Sequence, residues 1–172
     1  MTAATVTNPG SGYTSTPSVT VTDSTGSGCS IVISNELDAE GGPCDAKYIT
    51  RKVTLEDGFD AQDIKLHVTA YKPQTASLVA YVKILSVEDP ENFDDKPYIE
   101  LVQETPSSVH SLNEQDYREF IFRSEGNALS YTDDNGTKYK KFKTFSIKLG
   151  LLSTNTTDVP RIKDLRALAL DE

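Results

Sequence analysis

Ile64, Leu66, Val68 and Ala70 fall on one parity of a short run, and Lys65, His67, Thr69 and Tyr71 fall on the other. A period of two predicts a half-buried strand, because successive side chains of a strand point to opposite faces. The same alternation recurs along the chain. Ile49, Arg51, Val53 and Leu55 share a parity against Thr50, Lys52 and Thr54. Phe145, Ile147, Leu149 and Leu151 predict a long returning strand; residues 162–170 read, without such alternation, as a final edge strand. Leu78 to Val87 is apolar at both parities, which predicts a strand covered on both faces. Tyr98 to Gln103 adds another.

Turn residues separate these runs. Glu56-Asp57-Gly58-Phe59-Asp60, Lys72-Pro73-Gln74 and the long acidic stretch 89–97 are loops, as is 153–158. Asn135-Gly136, between Tyr131 and Tyr139, predicts a hairpin with a type I′ turn. One segment predicts a helix. Ser111 with Glu114 forms a capping box, Tyr117, Phe120 and Ile121 share a helical face, and Gly126-Asn127 supplies a stop. About seven strands at short spacing, without regular helical crossovers, predict a mainly all-β domain, an antiparallel sandwich with one short helix.

The N-terminal segment differs. Residues 1–37 are rich in Thr, Ser, Gly and Val, and no Lys or Arg precedes Lys47. Thr5-Val6-Thr7, Val19-Thr20-Val21-Thr22 and Ile31-Val32-Ile33 predict a three-stranded unit with Tyr13 as its single large anchor. So little apolar surface does not offset chain entropy, so the unit is expected to pack against a partner. Residues 38–45 read as a linker, and 46–172 as the sandwich domain.

Composition narrows the function classes. The chain has 172 residues, 37% hydrophobic and 25% charged, with a net charge of −9. A surplus of acid opposes binding to nucleic-acid phosphates and to anionic membranes. No apolar run reaches the length of a spanning helix, and no basic n-region precedes an apolar core at the N-terminus. Two cysteines, Cys29 and Cys44, do not make a disulfide framework and read as free thiols.

Candidate chemistry is sparse. The carboxylates of 88–95 suit a hard cation, but their spacing does not match a calcium-binding EF-hand loop, and a solvated acidic loop accounts for them. Asp94 and Asp95 could pair as glycosidase carboxylates, yet no apolar pocket is marked nearby and the chain has no Trp. His67 and His110 lack a recognisable nucleophile, and Cys29 lacks a local activating group. The glycine pairs at 10, 12, 26 and 28 precede no helix and read as turns. Lys138 to Lys143 is one basic patch, explained by the outer face of a strand. Asn135 and Asn155 begin formal glycosylation sequons, which carry little weight without a secretory leader. No catalytic, metal or cofactor-binding residue is predicted.

Asn8-Pro9-Gly10-Ser11-Gly12-Tyr13-Thr14-Ser15-Thr16-Pro17-Ser18-Val19-Thr20-Val21 resembles a GSGYTSxPxVxV β-repeat found in large tail, baseplate and fibre proteins of tailed bacteriophages and in some bacterial surface proteins. A second resemblance runs through 46–55, Gly58-Phe59-Asp60-Ala61, Ala70-Tyr71-Lys72-Pro73, Phe93 to Tyr98 and 159–170. These segments are similar to the C-terminal part of virion proteins from contractile-tailed phages, particularly those of cyanobacteria. Proteins of this type often carry several such repeats, and here one is present. The resemblance implies a structural role in the tail, baseplate or neck, in a virion assembled in the host cytoplasm. It implies other virion proteins and further copies of the chain as partners, and no catalytic residues. On this reading Tyr13, Pro17, Val19 and Val21 form an assembly surface. The alternative is a carbohydrate-binding or adhesin-like sandwich that uses Asp94, Asp95 and Tyr98.

Overall fold

The computed structural model describes residues 40–171. Tyr13, Pro17, Val19 and Val21, with the rest of the proposed N-terminal unit, lie outside the described residues. The chain divides into two units, Met1–Pro43 and Cys44–Glu172, and the second is treated by itself below.

Ten strands account for just under half of its described residues: β1 (Ala46–Ile49), β2 (Val53–Thr54), β3 (Asp63–Tyr71), β4 (Ala76–Leu85), β5 (Ile99–Gln103), β6 (Arg118–Arg123), β7 (Tyr131–Thr132), β8 (Lys138–Tyr139), β9 (Thr144–Ser153) and β10 (Arg161–Leu170). Eight form one antiparallel sheet in the order β1, β9, β4, β5, β6, β3, β10, with β2 also on β9; β7 and β8 form a separate hairpin. The domain is all-β.

Strand β5 joins the two halves of the sheet. Its first half pairs with β4, Ile99 to Leu101 opposite Val82 to Ala80. Its second half pairs with β6, Val102 and Gln103 opposite Arg123 and Phe122. A strand that changes neighbours turns a corner, and the sheet curls. The inward parities of both halves then meet in one core: Ile64, Leu66, Val68 and Ala70 of β3, Leu78, Ala80, Val82 and Ile84 of β4, Leu101, Phe120, Phe122, Phe145, Ile147 and Leu149. Each fully buried Leu, Ile or Phe side chain contributes about 1.5–3 kcal/mol.

The alternation read at 64–70 is the inward face of β3, and the doubly apolar run read at 78–87 is the central strand β4 as far as Leu85, flanked by β9 and β5, while Val87 lies exposed in the loop that follows. The strand read at 162–170 is β10, which ends the sheet. The run at 49–55 is broken into β1 and β2. Thr50 causes the break: its hydroxyl accepts the Ile147 amide at 2.9 Å, while its own amide donates to Ile147 O at 2.9 Å. The side chain thereby replaces a ladder carbonyl.

Two local expectations fail. The helix read over Ser111 to Gly126 is absent. Residues 118–123 are β6, with Phe120 and Phe122 buried at alternate positions. Tertiary burial of two Phe rings outweighs a local capping signal. Ser111 instead accepts the Lys72 amide through its hydroxyl at 2.9 Å and donates its own amide to Lys72 O at 2.7 Å. The 131–139 hairpin forms, but without a type I′ turn. Gly136 has a positive φ of 86°, and Asn127 is the only non-glycine with positive φ among the described residues. Asp133 directs the turn by accepting the Asn135 amide at 3.0 Å and the Thr137 amide at 2.7 Å.

Candidate functional site

The acidic loop 86–98 lies between β4 and β5. Asp89 and Lys96 converge beneath it, their side chains 0% and 4% exposed, with Lys96 Nζ 2.7 Å from Asp89 Oδ2. The same ammonium pairs with Glu91. Tyr131 of β7 donates its hydroxyl to Asp89 Oδ2 at 2.7 Å and accepts the Ser86 amide at 2.9 Å. Asp89 Oδ1 accepts the Glu91 amide at 2.9 Å, and Glu91 accepts the Asp134 amide at 3.1 Å. One network therefore ties the acidic loop to the β7–β8 hairpin.

Carboxylate oxygens of Asp89, Glu91 and Asp133 lie within 4.8 Å of one another. Such a triad could hold a hard cation. Here the Lys96 ammonium already pairs with two of its members and supplies the positive charge. Burial pushes the Asp89 carboxyl up, but the Lys96 ammonium, the Tyr131 hydroxyl and the Glu91 amide more than reverse this, leaving it below the ordinary carboxylate value. Burial likewise lowers Lys96, and the two carboxylates overcome it and raise it. Burial, with the Asp89 charge, raises Tyr131.

Asp94, Asp95 and Tyr98 are not brought into this network. Asp94 and Asp95 are exposed in a 3-10 turn that Asn92 caps, its Oδ1 accepting the Asp94 amide at 3.4 Å. Lys83 fastens the turn by donating to Asp94 O at 2.8 Å. The Tyr98 ring is engaged by Lys148 Nζ at 3.8 Å and Lys83 Nζ at 4.8 Å from its centroid. Those contacts compete for the ring surface that a sugar would stack on. His67 lies on the outward face of β3, as read, with Nδ1 3.2 Å from Glu119.

The ends of the sheet are the other distinctive surface. Among the described residues, β1 and β2 pair only with β9, and β10 only with β3. A terminal strand presents unpaired backbone groups that another strand can extend. On β10, the exposed Arg161, Lys163, Asp164 and Arg166 interrupt the edge with charge. On β1 and β2, Tyr48 (51% exposed), Ile49 (52%) and Val53 (41%) leave apolar surface in solvent. Residues 46–54 also carry Lys47, Arg51 and Lys52 and no acidic residue, within a chain of net charge −9.

The alternation at 49–55 gave the sequence signal for this edge, although the single strand it predicted is two. Nothing local marked Lys96 as the cation of the acidic cluster, because its partners Glu91 and Asp89 share a loop whose path is set by Tyr131, far along the chain. No family model matches this chain, and neither the curated proteins nor the solved structures contain a match.

Proposed function

We propose that this protein is a virion structural component of a tail, baseplate or neck, acting through protein–protein assembly rather than catalysis. The sequence resemblance to contractile-tail proteins supplies the biological setting. The observation that supports it is the β1–β2 edge: terminal strands with three exposed large apolar side chains, a basic composition and no acidic residue. An edge of this kind suits strand addition by an acidic partner segment, with backbone hydrogen bonds giving affinity and the basic side chains giving orientation. The surrounding curled sheet provides a rigid support for it. Other virion proteins and further copies of the chain are the proposed partners, and the particle assembled in the host cytoplasm is the proposed location.

The test is an edge variant, Tyr48→Glu with Ile49→Lys, produced in the phage-infected host. Both side chains are half exposed, so the domain is expected to fold with unchanged far-UV circular dichroism. Incorporation into purified particles, read by mass spectrometry, is expected to fall at least several-fold. Unchanged incorporation of the folded variant would overturn the proposed edge. Absence of the unaltered chain from particles would overturn the virion role itself.

A further inference from the structure

The change of partner by β5 has a second result. Residues 77–79 of β4, paired with β9 on one side, have no β5 partner on the other, because β5 turns to β6 after Leu101. A cleft of about 500 Å³ opens at this seam, lined on its apolar side by Leu78, Val79, Leu101, Val102 and Phe122. That volume falls in the range of small-molecule sites, ~300–1,000 Å³.

Lys72, the residue that follows β3, is also part of the lining and is only 6% exposed. Its ammonium donates to Val109 O at 3.1 Å and lies 3.5 Å from Ser107 O. The Phe120 ring centroid is 5.7 Å away. Among the described residues, no carboxylate lies within ion-pair distance of Lys72 Nζ. Burial accordingly lowers its pKa. The contrast with Lys96, buried to the same degree but paired with two carboxylates, is direct. Buried charges are paired as a rule, so an unpaired buried ammonium beside a cleft calls for an anion.

The remaining lining defines that anion. Ser77, Ser107 and Gln103 offer hydrogen-bonding groups, while Glu100 and Glu125 add two negative charges. Those two carboxylates disfavour a dianion, and the apolar wall favours a hydrocarbon body. We propose that this seam binds a small organic monocarboxylate with an apolar tail, its carboxylate paired with Lys72 and its tail against Leu78, Leu101 and Phe122.

The experiment titrates the full chain with sodium hexanoate, followed by NMR shifts of backbone amides. Saturable shifts confined to 72–79, 100–107 and 122–125 are expected. Lys72→Met keeps the stem and removes the charge; it is expected to weaken hexanoate binding by about tenfold or more. A second measurement needs no variant. Reductive methylation of the unaltered protein, read by peptide mass spectrometry, is expected to slow at Lys72 in saturating hexanoate and to stay unchanged at exposed Lys138. Hexanol and hexyl phosphate serve as comparison ligands, and both are expected to bind more weakly than hexanoate. Equal binding of hexanol, tighter binding of hexyl phosphate, absence of saturation, or unprotected Lys72 would each overturn the proposal.

Discussion

Lys96 shows how one side chain can decide the character of a cluster. Three carboxylates gather beside it, within 4.8 Å of one another, and its ammonium pairs with two of them. Removing that charge while keeping a hydrogen-bonding stem, as in Lys96→Gln, leaves uncompensated carboxylates in a buried place. Breaking such a pair costs about 3 kcal/mol or more. The variant is expected to melt several degrees lower, and millimolar calcium is expected to restore part of the loss while leaving the unaltered protein unchanged. A calorimetric scan with and without calcium reads both outcomes.

The pH dependence of this network follows from its signs. Asp89 titrates below its ordinary value in the folded state, so its stabilisation is present above the unfolded carboxylate pKa. It is lost as pH falls through the lower, folded value. Lys96 and Tyr131 titrate above their ordinary values, so their stabilisation is present below the unfolded values near pH 10 and is lost as pH rises beyond them. Denaturant midpoints are expected to stay level near neutrality and to decline at both extremes, and Asp89→Asn is expected to flatten the acid limb.

Gly150 carries a different constraint. A Cβ there would stand 2.7 Å from Val79 Cγ2 and closer still to Cys44 Sγ. Gly150→Ala is therefore an overpacking change, expected to cost about 1–3 kcal/mol. A shift of the urea midpoint with an unchanged slope would register it.

At the scale of elements, alternation was the readable signal. β3 and β9 follow from period-two runs, because a strand with one buried face writes that face into its sequence. The apolar content of β4 at both parities reflects the loop carrying Phe93 and the rings of Tyr81 and Tyr98, which occupy its outer side with Lys83 and Lys148. β6 is ambiguous locally because Arg118-Glu119-Phe120-Ile121-Phe122-Arg123 has apolar residues at adjacent positions, which fits a helical face as well as a strand. What settles the matter is pairing with β3, more than forty residues earlier, and no local window contains it. The same limit hid the Lys72 cleft: Lys72-Pro73-Gln74 reads as a turn, and its burial depends on where loop 104–111 returns. Ser111→Ala, which removes the hydroxyl bonded to the Lys72 amide, is expected to cost about 1–2 kcal/mol. It is also expected to accelerate amide exchange at Lys72, measurable by hydrogen–deuterium exchange.

For the whole domain, the sheet's connectivity matters more than any one pair. Two ion pairs hold its halves at buried positions, Lys96 with Asp89 and Arg123 with Asp63, the latter at 2.5 Å with Ser124 also donating to Asp63. Arg123 and Asp63 belong to β6 and β3, whereas Lys96 and Asp89 belong to the loop over the other half. The overall acidity resides outside residues 46–54, so the basic edge faces the rest of the surface as an opposite charge. Attachment through that edge is expected to weaken as salt shortens the reach of these charges, which light scattering across a salt series can follow.

The antiparallel partner of β3 on its open side, β10, is made about a hundred residues later on the same chain, and at ~5–20 residues per second the ribosome needs about 5–20 s to deliver it. Throughout that interval the nascent β3 keeps a bare flank, as does β1 while it awaits β9. Synthesis therefore passes through a window in which the growing polypeptide can pair with a neighbour's identical strand instead of its own. Crowded polysomes should favour such swapped products, and slowing initiation should suppress them.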